Sequence, residues 1–194
     1  MEFDALLHTE SGIDVGVIKG NGSIVFIKVG LGGDCRGFEE KYLRMAHRLH
    51  TRSGCSVLVA SNPHDGQSHV TADRAIIEGY IEQNGINSPR LLVFGHSNGG
   101  VKALELCATG LPTARMVLVN MPLMINFHKT KRYLSLLEST KIAFVYGQLD
   151  PSFAYVPFLK NRYEHVTVST VPGADHNFKD MTDAFVELCD ALLT

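Results

Sequence analysis

A serine set between glycines carries the first chemical signal. Residues 95–99 read Gly-His-Ser-Asn-Gly, after the apolar run Leu91–Phe94 and before a stretch in which Val101, Leu104, Leu106 and Cys107 mark an amphipathic helix. Glycines two residues to either side of Ser97 let a strand and a helix close around a sharp turn. Such a turn holds the serine in a strained backbone conformation with its hydroxyl exposed. A hydroxyl is a weak nucleophile until a base takes its proton, and the base needs a third group to orient it. Of the nine histidines, His176 stands in the loop Val171–Phe178, after the last expected strand and before the C-terminal helix. That places it at the edge of the sheet from which Ser97 emerges. His47 and His50 fall on an expected helix, His165 precedes a strand, and His96 lies inside the turn itself, too constrained to reach back to Ser97. Asp150 follows the run Ile142–Tyr146 on a loop at the same edge, and with Pro151 behind it also suits a helix cap. Asp175 is the competing acid, but adjacent loop residues diverge, which makes it a poor partner for His176. The expected chemistry is nucleophilic attack by Ser97, with His176 as base and Asp150 as its orienting carboxylate.

These three residues need a scaffold that brings strand ends together. Five apolar runs, Ser23–Val29, Ser56–Ala60, Leu91–Phe94, Met116–Val119 and Ile142–Tyr146, lack strict alternation, and Val166–Val171 is a weaker, alternating sixth. Strands buried on both faces of a parallel sheet read this way. An earlier segment, Ile13–Lys19, runs through Gly20-Asn21-Gly22 into the Ser23 run, a hairpin signal that predicts an antiparallel edge pair. Helical patterns fall at Phe38–Thr51, Thr71–Gln83, Asn98–Ala108, Lys131–Glu138, Ser152–Arg162 and Lys179–Leu193. Alternating strands and helices predict an α/β fold with about 7 strands, an antiparallel N-terminal edge hairpin and helices on both faces. No repeat or linker interrupts the rhythm, so one domain over residues 1–194 is expected.

Composition narrows the function classes. The chain has 194 residues, 45% of them hydrophobic, with 18 basic against 20 acidic side chains and a formal net charge of −2. The balance leaves no electrostatic footprint for nucleic acid or an anionic membrane. His128–Arg132, the one basic cluster, reads as a solvated helix start. The best apolar stretch, Met116–Phe127, is interrupted by Asn120, Pro122 and Asn126 and is far shorter than the ~20 residues of a membrane span. The four cysteines lie far apart, and the N-terminus lacks a signal-peptide core, which together predict reduced thiols and a cytoplasmic protein. His64 and His69 flank Asp65 without a third ligand nearby, so no metal is expected. The Gly30–Gly33 stretch lacks the ending of a phosphate loop, so no nucleotide or other cofactor is expected either.

With Ser97, Asp150 and His176 in that chain order, the sequence resembles the α/β-hydrolase superfamily from Ser23 to the C-terminal helix. Val29-Gly30-Leu31-Gly32-Gly33 is similar to the family's oxyanion segment, with Val29 where the family commonly has histidine. Pro63-His64-Asp65-Gly66-Gln67-Ser68 resembles the Gly-x-Ser turn that closes the next strand–helix connection in these enzymes. The resemblance implies that the backbone N–H groups of Leu31 and Asn98 cradle a tetrahedral oxyanion. The cap that the family inserts between its sixth and seventh strands is confined here to Asn120–Lys141, so a minimal lid and a shallow site are implied. Gly30, Met121, Leu123, Met124 and Phe127 are the implied substrate-contacting residues, with core packing the competing fate for the apolar four. The activity implied is a serine esterase reaction on a small or medium ester or thioester, by way of an acyl-enzyme. The competing reading is a hydrolase-like fold that binds a ligand with little turnover.

Overall fold

The computed structural model describes residues 1–65, 67–160 and 162–193. Among the described residues, eight strands form one sheet: β1 (Ala5–His8), β2 (Asp14–Ile18), β3 (Ser23–Lys28), β4 (Ser56–Ala60), β5 (Arg90–His96), β6 (Arg115–Val119), β7 (Lys141–Gly147) and β8 (Val166–Val171). Their spatial order is β1-β2-β4-β3-β5-β6-β7-β8, with β4, β3 and β5 to β8 mutually parallel. Five α-helices among the described residues cover it: α1 (Lys41–Ser53), α2 (Val70–Gln83), α3 (Asn98–Ala108), α4 (Leu123–Leu134) and α5 (Thr182–Glu187).

Successive side chains of a strand point to opposite faces, and the central strands are apolar at every step because both faces are covered. Ile24 and Phe26 of β3, Val93 of β5 and Leu118 of β6 pack under α2, α3 and α4. Val25 and Ile27, Phe94 and Val119, their immediate neighbours, pack on the other face under α1 and α5. One charged pair crosses this interior. Lys28, at the end of β3, is fully buried, and its Nζ lies 2.7 Å from Oδ1 of Asp73 on α2 and 2.8 Å from the Ser61 carbonyl. Burial lowers the lysine's pKa and raises the carboxyl's, the mutual attraction opposing both shifts.

The expected antiparallel N-terminal hairpin is present, and its strands are β1 and β2, paired Ala5 to Val17 through His8 to Asp14. The Gly20-Asn21-Gly22 turn does not close it. β4 inserts between β2 and β3, pairing with both, so the turn instead crosses the end of β4. There the Asn21 N–H reaches the Gly54 carbonyl and the Gly20 N–H reaches the Ser56 hydroxyl. β1 eluded the apolar pattern because three of its four residues are exposed.

Three helices also differ from the sequence expectation. α4 begins directly after Pro122 and ends at Leu134, with Leu123, Thr130 and Leu134 on its buried face; it is the one α-helix between β6 and β7 among the described residues. The segment expected to be helical from Ser152 forms a 3-10 run, Pro151–Phe158, in which Pro157 lacks the N–H that an α-helix would use. Left-handed Phe178 and Asp180 delay the C-terminal helix to Thr182, and it tightens to 3-10 geometry over Leu188–Leu192.

All four cysteines are free and buried, Cys107 on the α3 face and Cys35, Cys55 and Cys189 on the other. Burial raises the pKa of each thiol, those of Cys107 and Cys189 to about 12. No helix among the described residues is long and apolar enough to cross a membrane.

Candidate active site

Ser97 occupies the turn between β5 and α3, with φ 54° and ψ −128°, a left-handed conformation that a non-glycine residue adopts only under constraint. The constraint is visible on both sides. Its N–H is held by the Val119 carbonyl at 2.8 Å, and its own carbonyl accepts from the Gly100 N–H at 2.9 Å. A Cβ on Gly99 would lie 2.2 Å from the Val29 carbonyl oxygen, and one on Gly95 would lie 2.6 Å from Cα of Gly100. The two flanking glycines are therefore needed for the approach of strand and helix.

His176 lies on the loop after β8, and Asp150 at the start of the 3-10 run after β7. The His176 Nε2 is 2.8 Å from the Ser97 Oγ, and its Nδ1 is 2.5 Å from Oδ2 of the buried Asp150. A carboxylate can only accept, which puts the imidazole proton on Nδ1 and leaves Nε2 as the acceptor for the serine hydroxyl. Asp150 divides its oxygens: Oδ1 takes the Ser152 N–H at 2.6 Å, as an N-cap does. Capping and orientation of His176 thus use different atoms of one side chain. Asp175 turns away, its Oδ1 accepting the N–H groups of Asn177 at 3.0 Å and Lys179 at 2.9 Å.

Two buried side chains, neither singled out by its sequence context, hold the backbone of His176. His96 does not approach the Ser97 hydroxyl, but its Nε2 reaches the His176 carbonyl at 3.1 Å and its Nδ1 the Tyr42 hydroxyl at 2.8 Å. The carbonyl requires a donor, so Nε2 carries the proton and Tyr42 donates to Nδ1. Burial, with the Lys41 charge adding to it, pushes the His96 pKa down to about 3, which keeps the ring neutral. The second is Asn120, fully buried, with φ 47°, directly after β6. Its Nδ2 donates to the carbonyls of Asp175 and His176, and its Oδ1 accepts the Gly147 N–H. The apolar run Met116–Val119, broken by a polar residue with a proline two positions further on, is the available signal for Asn120.

The glycine segment after β3 lies against Ser97. A Cβ on Gly30 would stand 3.5 Å from the Ser97 Cβ, and the segment turns at Gly32, φ 72°, with the Gly33 N–H on the Gly30 carbonyl. Among the described residues, the backbone N–H groups of Leu31 and of Asn98, the first residue of α3, are given to no protein acceptor. Val29, the departure from the family's histidine, is buried in the apolar layer under α1. Of the apolar residues expected to meet substrate, Met121 and Leu123 present no exposed surface. Both are fully buried, Met121 against Gly100, because they point down into the layer under α3 and α4. Met124 is 55% exposed, and Phe127 is half-buried against Tyr155 and Phe158. Leu31 and Leu149 are also exposed, on loops that leave the same edge of the sheet.

A mostly parallel sheet with a strained serine between strand and helix, facing loops that follow the later strands, defines an α/β-hydrolase fold. The chain belongs to the family described as alpha/beta hydrolase of unknown function (DUF1057), which matches residues 56–164. A comparison with curated protein sequences finds no match. Among solved structures it is similar to an alpha-beta serine hydrolase homologue from Coxiella burnetii, with 15% identity and a TM-score of 0.72 over 100% of this chain and 99% of that one. It is likewise similar to dienelactone hydrolase from Anabaena variabilis, at 16% identity and a TM-score of 0.73, covering 100% and 96% of the two chains. Est1E from Butyrivibrio proteoclasticus matches at 15% identity and a TM-score of 0.67, covering 97% and 98%. At these identities the likeness is one of fold.

Proposed function

We propose that this chain is a cytoplasmic serine hydrolase that cleaves a small or medium carboxylic ester, or a thioester, through an acyl-enzyme. The observation that carries this reading is the unbroken hydrogen-bond chain from the Ser97 hydroxyl through His176 to Asp150. Ser97 Oγ attacks the carbonyl carbon while the neutral His176 Nε2 takes its proton. Asp150 holds the imidazole in the required tautomer and stabilises the imidazolium that forms. The oxygen of the tetrahedral intermediate is received by the N–H groups of Leu31 and Asn98, the latter at a helix N-terminus whose dipole favours negative charge. His176 returns the proton to the departing oxygen or sulfur, and water, activated by the same imidazole, releases the acid. The exposed Met124, Leu31 and Leu149, with the half-buried Phe127, offer an apolar rim for the acyl or alcohol part. The names of the similar structures, a serine hydrolase homologue and a dienelactone hydrolase among them, support the same reaction class.

Short- and medium-chain p-nitrophenyl esters and a fluorophosphonate probe test the proposal. Wild-type chain is expected to turn over the esters and to be labelled, and Ser97→Ala to lose both, with the rate falling by about 10⁴-fold or more. Equal rates in the two proteins overturn the mechanism. Folded wild-type protein that neither reacts with the probe nor hydrolyses any of the esters favours the ligand-binding reading instead.

A further inference from the structure

We infer that Asn62 is the positioning residue for the two oxyanion donors, an inference that rests on the proposed hydrolase reaction. Asn62 follows β4 in a loop and is buried, 2% exposed. Its backbone clasps the glycine segment from one side: its carbonyl accepts the Gly32 N–H at 2.7 Å, and its N–H donates to the Gly33 carbonyl at 3.1 Å. Its side chain continues the clasp, Nδ2 donating to the Val29 carbonyl at 3.1 Å. Hydrogen bonds to Asn62 therefore fall on residues 29, 32 and 33, on both sides of Leu31, while the Leu31 N–H itself remains without a protein acceptor among the described residues.

The same Nδ2 group reaches the other donor. Asn98 Oδ1 lies 3.3 Å from it. The orientation of the two amides follows from the carbonyl of Val29, which can only accept. Nδ2 of Asn62 must face it, and the Asn98 atom that faces Nδ2 must then be the oxygen. One amide thus ties the segment that carries the Leu31 N–H to the residue that carries the Asn98 N–H. Oxyanion stabilisation depends on donors that are already in place when charge develops, so their relative placement acts on the transition state more than on the bound ester. The Val29 side chain has no hydrogen-bonding group with which to hold the segment, and the amide of Asn62 reaches its carbonyl from the neighbouring strand's loop. Beneath it, Ser61 accepts from the buried Lys28, which fixes the start of the loop.

Asn62→Asp and Asn62→Ser test this in the full chain, with Ser97→Ala alongside. The aspartate keeps the shape and sets an acceptor against the Val29 carbonyl and Asn98 Oδ1. The serine is too short to reach both and tolerates burial. The readouts are kcat and KM on a p-nitrophenyl ester, and the inhibition constant of an alkylboronic acid. The boronic acid's boron bonds to Ser97 Oγ, the serine proton passes to His176, and the tetrahedral anion mimics the intermediate. Both Asn62 variants are expected to lower kcat by about tenfold or more with KM changed less than about twofold, and to weaken the boronic acid by the same factor as kcat/KM. A residue that only fills the loop would lower the melting midpoint and leave boronic acid affinity and kcat per folded molecule unchanged, which overturns the inference while Ser97→Ala remains inactive. If Ser97→Ala hydrolyses the ester as well as wild type, the hydrolase reading falls, and the inference with it.

Discussion

The side chain of Asn120 grips the backbone of His176, its Nδ2 donating to the His176 carbonyl at 2.9 Å while its Oδ1 holds the Gly147 N–H at 2.7 Å. Gly147 ends the strand that leads to Asp150, so one amide sets the spacing between the loop that carries the acid and the loop that carries the imidazole. Asn120→Ala leaves the Gly147 N–H buried without a partner, a cost of about 1–3 kcal/mol. It also releases the His176 loop. Turnover of a p-nitrophenyl ester is expected to fall by about 10- to 100-fold, with a lower melting midpoint. Steady-state kinetics alongside thermal unfolding check it, and unchanged kcat in a destabilised protein would assign Asn120 to the fold alone.

Acid should weaken the fold through His96. Its folded pKa, about 3, lies below the unfolded value of ~6.5, so the unfolded chain binds more protons between those limits. The stability it contributes is complete above about pH 6.5 and is lost as pH falls toward 3, at a limiting slope of ~1.4 kcal/mol per pH unit. Urea unfolding at pH 7.0, 6.0 and 5.0 (about one-unit steps across this window) measures it. In His96→Gln the slope should flatten. An equally steep loss in that variant would point to other groups.

Breaking the buried Lys28–Asp73 pair should cost more than removing it whole. Asp73→Ala strands an ammonium that is 0% exposed, with an expected loss of about 3–5 kcal/mol. Lys28→Met combined with Asp73→Leu removes both charges and should recover much of that loss. Denaturant midpoints of the single and double variants decide the matter. Additive losses would contradict the coupling.

Two glycines near Ser97 should respond in opposite ways. A methyl on Gly99 meets the Val29 and Lys28 carbonyl oxygens at 2.2 and 2.3 Å, so Gly99→Ala is expected to give little folded protein. On Gly30 the contacts begin at 3.5 Å, ordinary van der Waals distance, so Gly30→Ala should melt like wild type. It should nonetheless slow fluorophosphonate labelling, because its methyl sits beside the Ser97 Cβ. Melting and labelling rates measured together separate the two cases.

The parallel strands and the serine turn were legible in the sequence because each rests on local chemistry: apolar runs buried on both faces, and glycines two residues either side of Ser97. The pairing of β2 with β4 was not, since an Asn-Gly turn signals a hairpin locally and cannot register that another strand inserts between its arms. Met121 and Leu123 pointed inward for a similar reason. Their apolar character suits a pocket or a core equally, and only the path of the chain from β6 into α4 decides. The roles of Asn62, His96 and Asn120 were not legible, because buried polar residues announce themselves by their partners, which lie far away in sequence.

The buried cysteines give the molecule a way to report on itself. Cys107 sits in one apolar layer and Cys35, Cys55 and Cys189 in the other, each shielded and held as a thiol by burial. A thiol-reactive reagent reaches them only when a layer opens. The order in which Cys107 and the other three become modified is therefore a clock for which face of the sheet uncovers first, read from the natural sequence without introducing a label.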